Sequence, residues 1–140
     1  MAQSGMTKAR PRPLSPHLGI YRWGPHMMVS ILNRMMGVGL ATLGMALFTM
    51  GLMALALGPD AWAHFIGVMR APVFLWLGRM LGMGLTFALF LHMLAGIRHF
   101  VMDIGAGFEL KSNRTSAILT LLGAAALTLI VWAIILLGRR

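Results

Sequence analysis

Three long stretches of this chain contain no charged residue. They run from Met35 to Pro59, from Met80 to Ile97 and from Thr115 to Gly138, over 25, 18 and 24 residues. A helix needs roughly 17–25 mostly apolar residues to cross the hydrocarbon core of a membrane. The sequence therefore predicts an all-α membrane protein with three transmembrane helices, at about 28–58, 71–99 and 115–138. Arg79, near the start of the second span, is expected to reach back to the membrane interface.

The composition excludes the main soluble alternatives. Charged residues make up 11% of the 140 residues and hydrophobic residues 59%, whereas a soluble domain carries roughly 25% charged residues. The net charge of +9 would favour nucleic-acid binding in a soluble protein. No stable soluble surface exists here to present that charge, so no nucleic-acid partner is expected. The chain has no cysteine, which excludes disulfides, iron–sulfur clusters and cysteine zinc sites within it.

Basic residues are distributed unequally about the predicted spans. Residues 1–26 are predicted to be a basic arm on the inner side, whose prolines argue against a long helix, and residues 27–140 the three-span domain. Eight basic residues lie near the span ends on the side of the N-terminus and four on the other side. The positive-inside rule then predicts a cytoplasmic N-terminus. We expect a multi-pass protein of the bacterial inner membrane, with the mitochondrial inner membrane as the alternative.

Two segments join the predicted spans. Residues 61–70 contain aromatic and basic residues and are compatible either with a helix along the membrane surface or with a plain loop. Residues 103–114 are predicted to form a polar loop, because they carry two acidic and two basic residues.

Small residues recur on one face of the first two spans. In the first span they are spaced by seven: Ser30, Gly37, Gly44, Gly51 and Gly58. In the second span the spacing is four: Gly84, Ala88, His92 and Gly96. Small residues allow helices to approach closely in lipid, so helix packing is one interpretation. The other is that Ala88 and Gly96 leave room for a flat cofactor beside His92.

His92 is an ionisable residue placed inside a predicted span. Such residues are costly in a membrane and are candidates for function. A hydrogen bond to a neighbouring helix and axial ligation of haem iron both suit an imidazole. His99 lies seven residues further along the same helix, about 10.5 Å away, so the two cannot clamp one iron. If haem is bound, a partner must bring the second ligand. Arg98 and His99 lie at the predicted boundary, where headgroup anchoring is an equally good interpretation.

Ser30 and Arg34 form a second candidate half-site. They lie one helical turn apart and can point at the same ligand. A serine hydroxyl can donate to a carbonyl, and an arginine can stabilise a developing oxyanion. The pair suits a quinone headgroup, whose oxygens gain negative charge on reduction. An interfacial arginine beside a helix-start serine is the alternative.

Three motifs stand out along the chain. They are Arg12-Pro-Leu-Ser-Pro-His-Leu-Gly-Ile-Tyr21, Ser30-Ile-Leu-Asn-Arg34 with Gly37, and His92-Met-Leu-Ala-Gly-Ile-Arg-His99 with Asp103 and Gly105. Together they resemble one known family, that of the cytochrome b556 subunit of succinate dehydrogenase, the larger membrane anchor of respiratory complex II. The resemblance runs from about residue 12 to 138.

The resemblance implies a role in electron transfer from succinate to ubiquinone. It implies that the chain is half of a haem-binding helical bundle, completed by a second small anchor subunit that brings the other axial histidine. Flavoprotein and iron–sulfur subunits would dock on the inner side. His92 would be the axial ligand of haem b, and the haem-binding set would be His92, Asn33, Arg34, Gly96 and His99. The quinone-binding set would be Ser30, Ile31 and Arg34. The chain would not be catalytic on its own.

One position departs from the family pattern. Where this chain has Asn33, the family usually has a histidine near a haem propionate. Asparagine can still donate a hydrogen bond but cannot carry charge.

Quinone reduction also consumes two protons, and an arginine does not supply them near neutral pH. Asp103 and Glu109 form a candidate proton relay, the alternative being that they pair with Arg98 and Lys111. Two other functions stay open, namely an anchor of a menaquinone-linked fumarate reductase and a cofactor-free structural membrane subunit.

Overall fold

The computed structural model describes residues 17 and 19–138, and every regular element in that part of the chain is helical. Helix α1 (Pro25–Gly39) continues through a π-helical segment (Leu40–Gly44) into α2 (Met45–Ala56). Helices α3 (Pro59–Arg70), α4 (Pro72–Asp103) and α5 (Leu110–Leu137) follow. Residues 1–16 and 18 of the predicted N-terminal arm lie outside the described residues, as does part of its motif.

The three predicted transmembrane helices are confirmed. The described residues contain three helices long and apolar enough to cross a membrane, Pro25–Ala56, Pro72–Asp103 and Leu110–Leu137. The first two have 32 residues each, which is about 48 Å of helix and exceeds the roughly 30 Å of hydrocarbon. Their polar ends therefore extend beyond the apolar core of a membrane.

The helix ends differ from the predicted span ends. The first helix begins at Pro25 and so takes in the last two residues of the predicted arm, because proline is favoured in the first helical turn. The predicted polar loop of residues 103–114 is wrong in extent, since α5 already begins at Leu110. The chain reverses in residues 104–109, where Gly105 and Gly107 adopt φ of 85° and 78°. These conformations favour glycine, so a short turn is sufficient.

The segment between the first two spans is a helix, so the plain-loop alternative is wrong. Gly58 turns the chain with a φ of 108°, and Pro59 then opens α3. Helix α3 packs against α2 and α4. The rings of Trp62 and Phe65 stack on it with their centroids 5.8 Å apart.

Small residues bring α1, α4 and α5 together. The central cluster contains Val29 of α1, Ala95 of α4 and Ala117 of α5, with both alanines fully buried. Thr120 and Thr128 of α5 are also buried, and their hydroxyls donate to the carbonyls of the preceding turn at 2.9 Å and 2.7 Å. Polar side chains satisfied in this way cost little in an apolar interface. The first span buries least, since α1 and α2 each bury one residue while α4 and α5 each bury four.

The bundle has two ends. The loop end contains Pro25, Asp103 and Leu110, and the far end contains Ala56, Pro72 and Leu137. The candidate haem and quinone residues lie towards the loop end.

Candidate functional site

The imidazole of His92 lies against Gly37. A Cβ atom at position 37 would come within 3.0 Å of His92 Cε1 and 3.3 Å of Nδ1, with Nε2 at 4.0 Å. Such approaches are tighter than most real Cβ contacts, so the absence of a side chain at Gly37 lets the ring lie there. The rest of the His92 side chain is exposed on this chain. None of the side-chain hydrogen bonds found within residues 17 and 19–138 involves it, so the hydrogen-bonded alternative has no support there.

One turn nearer the loop end, α1 has an unpaired polar atom and α4 has open space beside a glycine. Four residues before Gly37 on α1 is Asn33, whose Oδ1 is buried and has no hydrogen-bond partner among the described residues. Four residues after His92 on α4 is Gly96, and a Cβ atom there would meet nothing within 4 Å. Buried polar atoms are nearly always paired in complete structures. An unpaired amide oxygen and an open glycine on the turns that flank the His92–Gly37 contact therefore fit a group from outside this chain.

A cleft of about 340 Å³ opens at the loop end between α1, α4 and α5. Ser30, Ile31 and His99 line it, which brings together residues from both predicted half-sites. Arg34 does not line this cleft and has an exposed side chain one turn further along α1. Ser30 and Arg34 can thus meet one ligand only if that ligand extends from the cleft along α1.

Arg98 is buried rather than turned towards lipid headgroups, so that interpretation of Arg98 is wrong. Its side chain is 9% exposed. Nε donates to Ser116 Oγ at 3.1 Å, and Nη2 donates to Asn113 Oδ1. Ser116 in turn donates to the carbonyl of Asn113 at 3.0 Å. Arg98 is thereby fixed to the first turns of α5, and these partners are neutral.

The position of Arg98 gives the cleft a positive wall. Arg98 and Asn113 both line the cleft that contains Ser30. A cation in a partly dry site, held by neutral partners, favours negative charge on a neighbouring ligand. The expected pairing of Arg98 with an acidic residue is replaced by these two neutral hydrogen-bond partners.

His26 is a site residue that the sequence did not single out. It lines the same cleft, one turn before Ser30 on α1. Its Nδ1 is buried without a hydrogen-bond partner among the described residues. The ring folds back over Gly24, where a Cβ atom would lie 2.6 Å from Cε1. Pro25 was the available signal, because a proline in the first turn places His26 on the helix that carries Ser30.

The two candidate proton-relay residues flank the turn between α4 and α5. Asp103 is the last residue of α4, and Glu109 immediately precedes α5. Both are exposed, and Glu109 borders a shallow cleft shared with Lys111 and Ser112. They therefore lie at the loop end, outside the cleft lined by Ser30.

The geometry supports two chemical tasks. An exposed imidazole beside a glycine with open space next to it can ligate the metal of a flat cofactor. An imidazole buried by neighbouring helices could not. A serine hydroxyl, two histidines and a buried guanidinium around one cleft can bind an acceptor whose oxygens become negative. These tasks use different turns of the same two helices.

Comparison with known proteins gives a consistent family. The chain matches the sequence family described as succinate dehydrogenase/fumarate reductase transmembrane subunit over residues 8–131. It is 39% identical over 124 residues to the succinate dehydrogenase cytochrome b556 subunit of Paracoccus denitrificans, covering 86% of this chain and 92% of that protein. The corresponding Rickettsia felis protein is 30% identical over 125 residues, with 86% and 90% covered. The mitochondrial succinate dehydrogenase cytochrome b560 subunit of Sus scrofa is 35% identical over 114 residues, with 79% and 64% covered.

Proposed function

This chain belongs to the succinate dehydrogenase/fumarate reductase transmembrane subunit family, and from that membership we propose that it anchors a succinate:ubiquinone oxidoreductase. The relatives are cytochrome b subunits of succinate dehydrogenase, an oxidoreductase, and a chain of this kind is a membrane anchor of complex II that is not itself catalytic. The finer proposal is that this chain supplies one axial ligand to haem b and part of the ubiquinone site.

The contact between His92 and Gly37 is the observation that carries the haem proposal. His92 would supply the axial nitrogen, Gly96 the open surface beside it, and Asn33 a hydrogen bond to the periphery of the group, with Arg34 and His99 on the side of the loop end. Haem b bound there would provide a one-electron redox centre. Asn33 Nδ2 would donate to an acceptor at the periphery of the group, and the unpaired Oδ1, itself an acceptor, requires a donor that the described residues do not provide.

The cleft at the loop end supports the quinone proposal. Ser30 would donate a hydrogen bond to a quinone carbonyl, and Ile31 would pack against the ring. Arg34 would stabilise negative charge on the ligand where it extends along α1, and the buried Arg98 adds a second positive group. His26 Nδ1, which has no partner among the described residues, would gain one from the ligand.

The proton supply is proposed to begin at the turn between α4 and α5. Asp103 and Glu109 are exposed at the end of the bundle nearest the cleft, where they can exchange protons with water. Arg98 is bound to neutral residues of α5, which leaves Asp103 without the pairing that was the alternative for it.

We propose the partner subunits from the helix surfaces that this chain leaves exposed. A second anchor subunit, carrying the other axial histidine, would cover the face of α1 and α2, which bury only Val29 and Ala54 within this chain. The iron–sulfur and flavoprotein subunits would dock at the loop end. That end would face the cytoplasm of a bacterium, as the distribution of basic residues predicts.

The experiment that tests the quinone assignment compares two activities of the purified complex. Arg34→Leu and Ser30→Ala should lower succinate-dependent ubiquinone reduction at least about tenfold, the loss expected for one transition-state hydrogen bond or charge. Succinate-dependent reduction of a soluble dye, which bypasses the membrane domain, should stay at the wild-type rate. Exposed Arg114→Leu serves as the control for charge removal at the same end. Unchanged ubiquinone reduction in both variants would overturn the assignment.

A further inference from the structure

A second large cleft lies at the far end of the bundle, away from the proposed haem and quinone sites. It has a volume of about 920 Å³ and lies between the end of α3, the first turns of α4 and the last turns of α5. Arg70 and Arg79 both line it, and much of its remaining wall is apolar, including Phe74, Trp132 and Leu136. Two cations thus line one cleft at the far end of the bundle. The proposed function gives this cleft no role.

The side chains of this molecule cannot neutralise those two cations. The whole chain has three acidic residues, Asp60, Asp103 and Glu109. Asp103 ends α4, 24 residues beyond Arg79, or about 36 Å along the helix. Asp60 lies in the first turn of α3, about 15 Å along that helix from Arg70. None of the three lines the cleft. Arginine near hydrocarbon favours an anionic partner, and none of the acidic side chains of this chain supplies one at the cleft.

Specific contacts hold the cleft in shape. Trp132 Nε1 donates to Thr86 Oγ1 at 3.3 Å. Gly82 gives this indole room, since a Cβ atom there would lie 3.1 Å from Trp132 Cζ2. The Arg79 guanidinium lies 5.8 Å from the centroid of the Trp76 ring, within the range of a cation–π contact. Trp76 is exposed and lies outside the cleft lining, so this contact restrains Arg79 only, whereas the hydrogen-bonded Trp132 indole forms part of the apolar wall.

We propose that this cleft binds one anionic phospholipid. Its phosphate would lie between Arg70 and Arg79, since the guanidinium fork matches phosphate oxygens. An acyl chain would lie along Trp132 and Leu136. A phospholipid carries the anion and the apolar tail in one molecule, as this lining requires, whereas a carboxylate of a neighbouring protein would satisfy only the arginines. Ordinary contact of an arginine with bulk headgroups would not need a cleft shared by three helices.

The test measures lipid retained by the intact, detergent-washed complex. Arg70→Gln with Arg79→Gln should lose about one anionic phospholipid per copy of this chain relative to wild type. The matched control is Arg22→Gln with Arg114→Gln, which removes two exposed arginines outside the cleft and should retain the wild-type content. Haem absorbance should stay unchanged in both double variants, so failure of this proposal is distinguishable from failure of the proposed function.

A second measurement uses delipidated complex and vesicles of defined composition. Phosphatidylglycerol should raise the melting temperature of the wild-type complex more than phosphatidylcholine does, and the Arg70/Arg79 double variant should respond equally to both. If the double variant does not assemble, Arg79→Lys replaces it, because lysine keeps the positive charge but lacks the guanidinium group. This variant should show a smaller preference for phosphatidylglycerol over phosphatidylcholine than wild type does. Equal anionic lipid content in wild type and double variant would overturn the proposal. So would loss of a protein subunit without loss of lipid, which would identify a partner's carboxylate as the occupant.

Discussion

Gly37 of α1 lies against the imidazole of His92 of α4, so closely that a side chain at position 37 would require the ring to shift. A Cβ atom at position 37 would lie 3.0 Å from Cε1 of the imidazole. The absence of a side chain at Gly37 thus allows the exposed imidazole to lie against α1, and a side chain there would move it.

Substituting Gly37 should therefore disturb the haem ligand directly. In Gly37→Leu the new side chain displaces the imidazole, with an overpacking cost of about 1–3 kcal/mol. The purified complex should contain less haem b or show a shifted absorbance band. The matched control is Gly39→Leu, because a Cβ atom at Gly39 meets nothing within 4 Å. Equal spectra for the two variants would show that the contact does not position the ligand.

The open surface beside His92 gives a second matched pair. Gly96 and Gly84 both face open space on α4, one turn and two turns from His92 in opposite directions. Gly96→Leu should lower haem content by filling the surface that the haem would cover. Gly84→Leu should leave it near the wild-type value, as measured by haem extraction per complex. Equal haem content in the two variants would mean that the group does not extend towards Gly96.

Charge at position 33 should tune the haem potential. Asn33→His, when protonated, should raise the midpoint potential because a nearby positive charge stabilises the reduced form, and Asn33→Asp should lower it. A tenfold change in the redox equilibrium corresponds to about 60 mV for one electron. Redox titration of the haem band measures the shift. If both variants titrate like wild type, the unpaired Oδ1 of Asn33 does not face the haem.

The buried network of Arg98 should contribute to stability. Arg98→Leu removes the partners that Asn113 and Ser116 have in α4, and should destabilise the chain by roughly 2 kcal/mol. The melting temperature of the complex should fall, whereas exposed Arg114→Leu should leave it nearly unchanged. A wild-type melting temperature in Arg98→Leu would show that the two hydrogen bonds do not hold α4 to α5.

The sequence was sufficient to predict the three spans, because a charge-free run of that length has few stable structures other than a membrane-spanning helix. It was less informative where a helix extends past its apolar run. His26 and Asn113 both lie on such extensions, so hydropathy placed them in an arm or a loop. The burial of Arg98 could not be predicted either, because it depends on which face of α4 is covered by α5.

The candidate site divides in the same way. The family motif singled out His92, Ser30 and Arg34, and the structure brings Ser30 together with His99 in one cleft. Arg34 lies outside this cleft because four residues exceed one turn of about 3.6 residues in α1, so Arg34 and Ser30 are not directly in line along the helix. The contact between Gly37 and His92 joins two helices, so no local pattern could have indicated it.

The central claim is that His92 ligates haem b, and the most direct measurement is the reduced-minus-oxidised spectrum of the purified complex. We expect a b-type band in wild type, a weakened or shifted band in His92→Ala, and an unchanged band in Ser30→Ala, since Ser30 lines the cleft that we propose for the quinone. A band that His92→Ala leaves unchanged in position and intensity would contradict the account, as would a wild-type complex without b-type haem.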